Sequence, residues 1–138
     1  IVKRAEQLLA SSRPTSIRSR LESGDAMTTL LLAEEASSGD GLAGEIIDEA
    51  AEFIGIGIVT VAHMIDPSIV VLGGAVNFGG NQSALGRRFL KTIDDAFRRR
   101  TFPTLAEHTR IEFAQLGGHA GYVGAAGVAR VAQRKETN

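Results

Sequence analysis

Two glycine pairs, Gly73-Gly74 and Gly117-Gly118, each close a short apolar run, and a helical pattern follows each within a few residues. A strand that stops at paired glycines lets main chain approach a ligand with no Cβ in the way. In open α/β sheets, ligands bind beyond the carboxyl ends of the strands. Such turns can cradle a phosphate or a nucleotide. The same glycines also serve a bare tight turn into the next helix, and a turn by itself leaves both readings open.

The other reactive side chains do not converge. His63 lies in an apolar helical stretch, His108 in a polar loop and His119 in the second glycine turn, and none has a ligand partner one helical turn on. His63 reads as a core histidine, and His119 alone is placed for a functional contact. Glu34-Glu35 and Asp94-Asp95 fall on helix faces expected to be wet, which argues against acid-base pairs. Arg98-Arg99-Arg100 ends a helix, where the dipole favours cations, and reads as a solvated helix end. The chain has no GxxxxGK[ST], no GxSxG and no GxGxxG.

The elements that must position the glycines are legible in order. Apolar residues at 1, 2, 5, 8 and 9 open a helix that Ser11-Ser12-Arg13-Pro14 ends. Residues 12–27 read as an exposed connection with one helical turn around Ile17 to Leu21. A helix over 28–37 turns Leu31, Leu32 and Ala36 inward and leaves Glu34 and Glu35 in water. From Leu42 to Ile65 the first half has a helix period, with Ile46, Ile47, Ala50, Phe53 and Ile54 inward. Its second half has the composition of a strand. Only Gly55 and Gly57 separate the two, so one helix is expected, buried all round at its end, with those glycines admitting a close neighbour.

Ile69-Val70-Val71-Leu72 has no alternation, which predicts a strand covered on both faces. A helix over 82–99 follows, with Leu85, Phe89, Ile93 and Phe97 as its inward stripe. Phe102-Pro103 breaks the chain, and residues 110–116 form a second strand with Ile111 and Phe113 on one face. Strand, helix and strand make a crossover unit of a parallel sheet, so the class is α/β. A final helix over 122–133 carries glycines at every third position. Gly124 and Gly127 are expected to pack on a neighbour, and residues 135–138 to fray.

The 138 residues are 43% hydrophobic and 22% charged, an ordinary globular composition. A net charge of −1 gives no broad field for nucleic acid or anionic lipid. No apolar run reaches the roughly 20 residues that a bilayer needs. Zero cysteines remove disulfides and thiolate metal sites, which fits a cytoplasmic location. The chain begins without methionine and already inside a helical pattern, so it is expected to be part of a longer protein. Residues 1–138 would then be a single partial domain without its N-terminal lobe: a helical entry segment over 1–41 and a nucleotide-side α/β core over 42–138.

Taken together, the long helix ending in Asp66-Pro67, the block Ile69-Val70-Val71-Leu72-Gly73-Gly74-Ala75-Val76, and the block Leu116-Gly117-Gly118-His119-Ala120-Gly121-Tyr122-Val123-Gly124-Ala125-Ala126 resemble the C-terminal portion of the ROK family (repressors, open reading frames, kinases). Within it, the likeness is to the bacterial glucokinase-like sugar kinases. The resemblance covers nearly the whole chain from about residue 28 onward. It implies an actin-like ATPase (ribonuclease H-like) fold whose two lobes close on ATP and sugar, with phosphoryl transfer to a hexose hydroxyl.

On that resemblance the leucine-glycine-glycine turn lines the adenosine pocket. The role passes to Gly73, Gly74 and Ala75, with Val76 and Asn77 beside them, while Gly117 and Gly118 form the second turn of the cleft. ATP and magnesium are the implied cofactors. The family's zinc motif, catalytic aspartate, first phosphate motif and sugar contacts have no match in this sequence, so the chain alone is expected to be inactive and to hold no zinc ligands. His119 stands where the family often has an acidic or amide residue.

Three functions follow. The first is the nucleotide side of a glucokinase-like sugar kinase, most simply one acting on glucose. The second is the effector-binding and dimerisation region of a sugar-responsive repressor whose separate N-terminal helix-turn-helix binds DNA. The third is an interaction domain whose glycines only pack. Repressors of the family commonly lose the second glycine of the first block and the glycine-alanine pattern of the second. Both are intact here, which favours the kinase. An unpaired sheet edge would favour a homo-oligomer.

Overall fold

The computed structural model describes residues 1–74 and 76–136, so Ala75, Thr137 and Asn138 lie outside the described residues. Helix α1 (Val2–Leu9) is followed by α2 (Ile17–Glu22) and α3 (Thr29–Ser37), whose Thr28 hydroxyl caps it by accepting from Leu31 N–H. The stretch with strand-like composition is helical throughout, as α4 (Gly41–Ile65). Asp40 starts α4 by accepting from Ala43 N–H, and Asp66 ends it in the left-handed region at φ 47, just before Pro67. Propensity loses here because β preference mostly measures packing on a pleated surface, and α4 packs as a helix.

Strand β1 (Ile69–Leu72) pairs in parallel with β2 (Arg110–Phe113), Ile69 opposite Arg110 and Leu72 opposite Phe113. Between them, a 3-10 turn at Gly80–Gln82 leads into α5 (Ala84–Arg98), capped by Ser83. Leu85, Phe89, Ile93 and Phe97 are all buried, as their spacing predicts. A short helix α6 (Pro103–His108), with Pro103 in its first turn, fills the break before β2 and has no counterpart in the sequence reading. β2 stops at Phe113, three residues short of the expected strand end. Another 3-10 turn, Gly117–His119, opens α7 (Ala120–Glu136).

The main core joins α4, α5 and β2 through Ile47, Ala51, Ile58, Phe89, Ile93 and Phe113. A second cluster under α1 to α3 collects Ala5, Ile17, Leu31, Leu32, Leu42 and Ile46. Gly55 lets the two long helices approach: a Cβ there would lie 2.6 Å from both Ala96 Cβ and Ile93 O. Gly57 has no such role among the described residues, none of which lies within 4 Å of its Cβ position.

Several expectations are corrected. Glu35 is not in water: it is only 7% exposed, with Arg20 Nη1 2.9 Å from its carboxylate, because α2 folds back over that face of α3. The second half of α4 is not buried all round. Its buried stripe is Gly55, Ile58 and Ala62, while Phe53 at 66% and Met64 at 79% stand exposed with Ile54, Ile56, Val61 and Ile65, because α5 covers a single stripe. β1 is covered on one face only: Val70 and Leu72 pack on the core cluster, whereas Val71 is 57% exposed. His63 is no core histidine, for its ring is exposed, stacked on Phe102 at 4.4 Å and 3.1 Å from Thr101 Oγ1. Nothing lies within 4 Å of the Cβ positions of Gly124 and Gly127, so they pack on no neighbour among the described residues.

Candidate functional site

Because β1 and β2 run parallel in register, both glycine turns leave the sheet at the same end. Ala114 N–H donates to Leu72 C=O at 2.8 Å, and a Cβ on Gly73 would meet only Ala114 Cβ, at 3.9 Å. The chain after β1 therefore lies against the chain after β2. Gly74 has φ +103 and Gly117 φ +49, in the left-handed region that a Cβ makes costly, and no atom of the described residues lies within 4 Å of either Cβ position. The main chain at both turns is open. Gly118 follows inside the 3-10 turn that starts α7.

The remaining expected residues lie further along the first turn. Ala75 is outside the described residues. Val76 and Asn77, with Phe78 and Gly79, line one wall of a cavity of about 380 Å³. Thr29, Leu30 and Ala33 of α3 form its other wall. Gly73, Gly74 and Gly117 are not part of this lining. The structure thus separates the expected residues into open main chain at the strand ends and a largely apolar cavity beside it. None of the lining side chains is charged.

That wall is held by a rigid turn. Gly80 N–H donates to Asn77 C=O at 2.8 Å, and Gly79 N–H to Asn77 Oδ1 at 3.2 Å. Phe78, at φ +51, is a non-glycine residue in the left-handed region, and its ring meets Phe89 edge-on at 4.8 Å in the core. Ser83 Oγ accepts from Gly86 N–H at 2.8 Å and donates to Phe78 C=O, tying the turn to the first turn of α5. A Cβ on Gly86 would lie 2.1 Å from Gly80 O, so these backbones are in contact. Phe78, Gly79 and the α3 wall escaped the sequence reading. The Gly79-Gly80 pair was a signal for the turn, but nothing in α3's own pattern marks Thr29 and Leu30.

His119, in the second turn, is exposed, and its Nδ1 is hydrogen-bonded to the Tyr122 hydroxyl one helical turn on. The Arg98-Arg99-Arg100 triplet is a solvated helix end: Arg98 pairs with Asp94, while Arg99 and Arg100 reach Glu52 on α4. Its Asp94 partner holds the Arg98 guanidinium above its already high ordinary pKa. Among the described residues, no group of three or more His, Cys, Asp or Glu is placed to hold a metal, and no helix is long and apolar enough to cross a membrane.

Two parallel strands joined through helices, each followed by a glycine turn, make a helix-rich α/β unit, and the likeness to a solved ROK sugar kinase assigns it to the actin-like ATPase fold. The sequence pattern of the ROK family matches residues 3–132, and the chain belongs to that family. It is 30% identical over 89 residues to a glucokinase of Halalkalibacterium halodurans, an alignment covering 64% of this chain and 25% of that protein. It is 25% identical over 103 residues to a xylose repressor of Caldicellulosiruptor bescii, covering 75% of this chain and 24% of the repressor. Among solved structures, a ROK family glucokinase from Streptomyces griseus, determined in complex with glucose and AMPPNP, aligns with TM-score 0.59 and 35% identity over 75% of this chain and 32% of its own. The chain spans about a quarter to a third of the length of these relatives.

Proposed function

We propose that this chain supplies the nucleotide side of an ATP-dependent hexose kinase of glucokinase type, as the C-terminal part of its domain. The observation that carries the reading is the juxtaposition of two open glycine turns at parallel strand ends with an uncharged cavity of about 380 Å³. The reading assigns the adenine ring to the cavity beside Val76 and Leu30 and lets the nucleotide run along the open main chain of Gly73, Gly74 and Gly117; Ala75 and Gly118 enter it through the sequence resemblance alone. ATP, bound there, supplies the phosphoryl group. The Streptomyces griseus relative, whose structure holds glucose and AMPPNP, supports ATP as donor and glucose as the sugar.

Transfer also requires magnesium and a base that orients the sugar hydroxyl. The reading assigns neither to a residue of this chain, so the chain by itself should bind nucleotide without phosphorylating sugar. A cytoplasmic location and a homo-oligomeric state belong to the same proposal. The similarity to a xylose repressor keeps a second reading alive, an effector-binding region of a repressor. The intact glycine blocks favour the kinase.

Titration calorimetry with ADP tests this on the wild type and on Gly73→Val. A side chain at position 73 meets only ordinary contact with Ala114, and Gly73 is outside the left-handed region, so the variant should melt with the wild type. If the backbone approaches the nucleotide, ADP affinity falls ten-fold or more, about 1.4 kcal/mol. Equal ADP affinity in the two proteins, or no binding by the wild type, refutes the assignment.

A further inference from the structure

Arg87, Lys91, Asp94 and Arg98 follow one another at helical spacing, so they form a stripe along one face of α5. Between that stripe and β2 lies an open groove of about 400 Å³, to which β2 contributes Arg110 and Glu112. Leu90, half-buried, and Ile111, buried, give it an apolar floor. Its volume is that of a small-molecule site. It shares no lining residue with the cavity beside Val76 and includes neither glycine turn.

The charges in this groove are unevenly matched. Arg98 is hydrogen-bonded to Asp94 at 2.6 Å, and Lys91 is hydrogen-bonded to Asp95, which balances those two cations. Arg87 Nη1 donates to Asn81 C=O at 2.9 Å, and the side chain pairs with no carboxylate among the described residues. The Arg110 guanidinium stands 3.5 Å from the Glu112 carboxylate, longer than a hydrogen bond. Two guanidinium groups therefore keep most of their donors free above the apolar floor. A guanidinium offers a phosphate two parallel N–H donors. The carboxylates of Asp94 and Glu112 only accept, so they suit hydroxyl groups and repel a second anion. Free cationic forks, carboxylate acceptors and an apolar floor in one groove match a molecule with a phosphate, several hydroxyls and a hydrocarbon face.

We propose that the groove between α5 and β2 binds a sugar phosphate. Its phosphate lies on Arg87 and Arg110, its hydroxyls donate to Asp94 and Glu112, and its carbon face rests on Leu90 and Ile111. The chemistry of the groove stands without the nucleotide reading. One consequence rests on that reading: a hexose phosphate is the product of the proposed transfer, so the groove would bind product outside the ATP cleft.

Titration calorimetry on the chain with glucose 6-phosphate, inorganic phosphate and glucose tests this, at low ionic strength because salt screens exposed charges. The wild type should bind glucose 6-phosphate about ten-fold more tightly than inorganic phosphate, the carbon body and hydroxyls supplying the difference, and should bind glucose undetectably. Arg87→Gln and Arg110→Gln should each weaken glucose 6-phosphate by about ten-fold, the worth of a charge-assisted hydrogen bond. Both positions are exposed, and circular dichroism confirms that the variants fold. Gly73→Val, the variant aimed at ADP, should leave glucose 6-phosphate affinity unchanged, so the two sites fail or stand separately. No binding of glucose 6-phosphate by the wild type, equal affinity for inorganic phosphate, affinity unchanged in either arginine variant, or affinity lost in Gly73→Val would each overturn the proposal.

Discussion

At Asp40 a single carboxylate holds the start of two helices. Its Oδ1 accepts from Ala43 N–H at 2.8 Å, capping α4, and its Oδ2 accepts from Ser16 N–H at 2.7 Å, fixing the start of α2. Partial burial pushes this carboxyl up, but the donations from Ala43 and Ser16, with the Thr15 and Ser16 hydroxyls, outweigh it and leave Asp40 below its ordinary value. A carboxylate depressed in the folded state contributes stability that is complete above the unfolded value, near 4, and lost as pH falls through the folded value. Asp40→Ala should cost about 1 kcal/mol at neutral pH, as lost caps do, and Asp40→Asn less, since asparagine also caps. Urea melts from pH 6 down to pH 2 should show the wild type's advantage over Asp40→Ala shrinking with acid. A difference constant across that range would show that the charge does not matter. In the sequence Gly39-Asp40-Gly41 shows only where the helix over 28–37 ends. Neither the cap on α4 nor the bond to Ser16 is legible there, the latter because it joins segments distant in sequence.

Along α4, periodicity and propensity disagreed, and periodicity decided the element. What the sequence did not settle was which apolar positions would be covered, since Gly55 and Gly57 look alike in the chain and differ only in what faces them. A methyl at position 55 collides with Ala96 and with the backbone of α5, whereas one at 57 meets nothing. Gly55→Ala should therefore destabilise by about 1 to 3 kcal/mol through overpacking. Gly57→Ala should stabilise by up to about 1 kcal/mol, the helix preference of alanine over glycine. Denaturant midpoints of the two variants test the pair, and shifts of the same sign would mean that the α4–α5 contact is misassigned. The same logic explains the misjudged Phe53 and His63. Their side chains have the type that cores use, but α5 takes only one stripe of α4, and sequence spacing does not say how wide the cover is.

Over the whole molecule, stability is unevenly shared. The two apolar clusters bind α1 to α5 and β2 together, while the apolar side chains of α7, from Tyr122 to Val131, are exposed. Gly121, Gly124 and Gly127 each cost α7 about 1 kcal/mol against alanine. A helix of 17 residues with no buried face among the described residues to repay its nucleation is marginal. In this chain α7 should therefore open far more readily than α4, so that in native-state hydrogen exchange its amides show protection factors of about 10 or less while those of α4 approach the global limit. Gly124→Ala with Gly127→Ala, both in open space, should slow exchange along α7 and leave the melting of the core unchanged. The glycine spacing reads as a device for close packing, and among the described residues that expectation fails, since none approaches either glycine. Protection of α7 equal to that of α4 in the wild type would mean that something covers those glycines in solution.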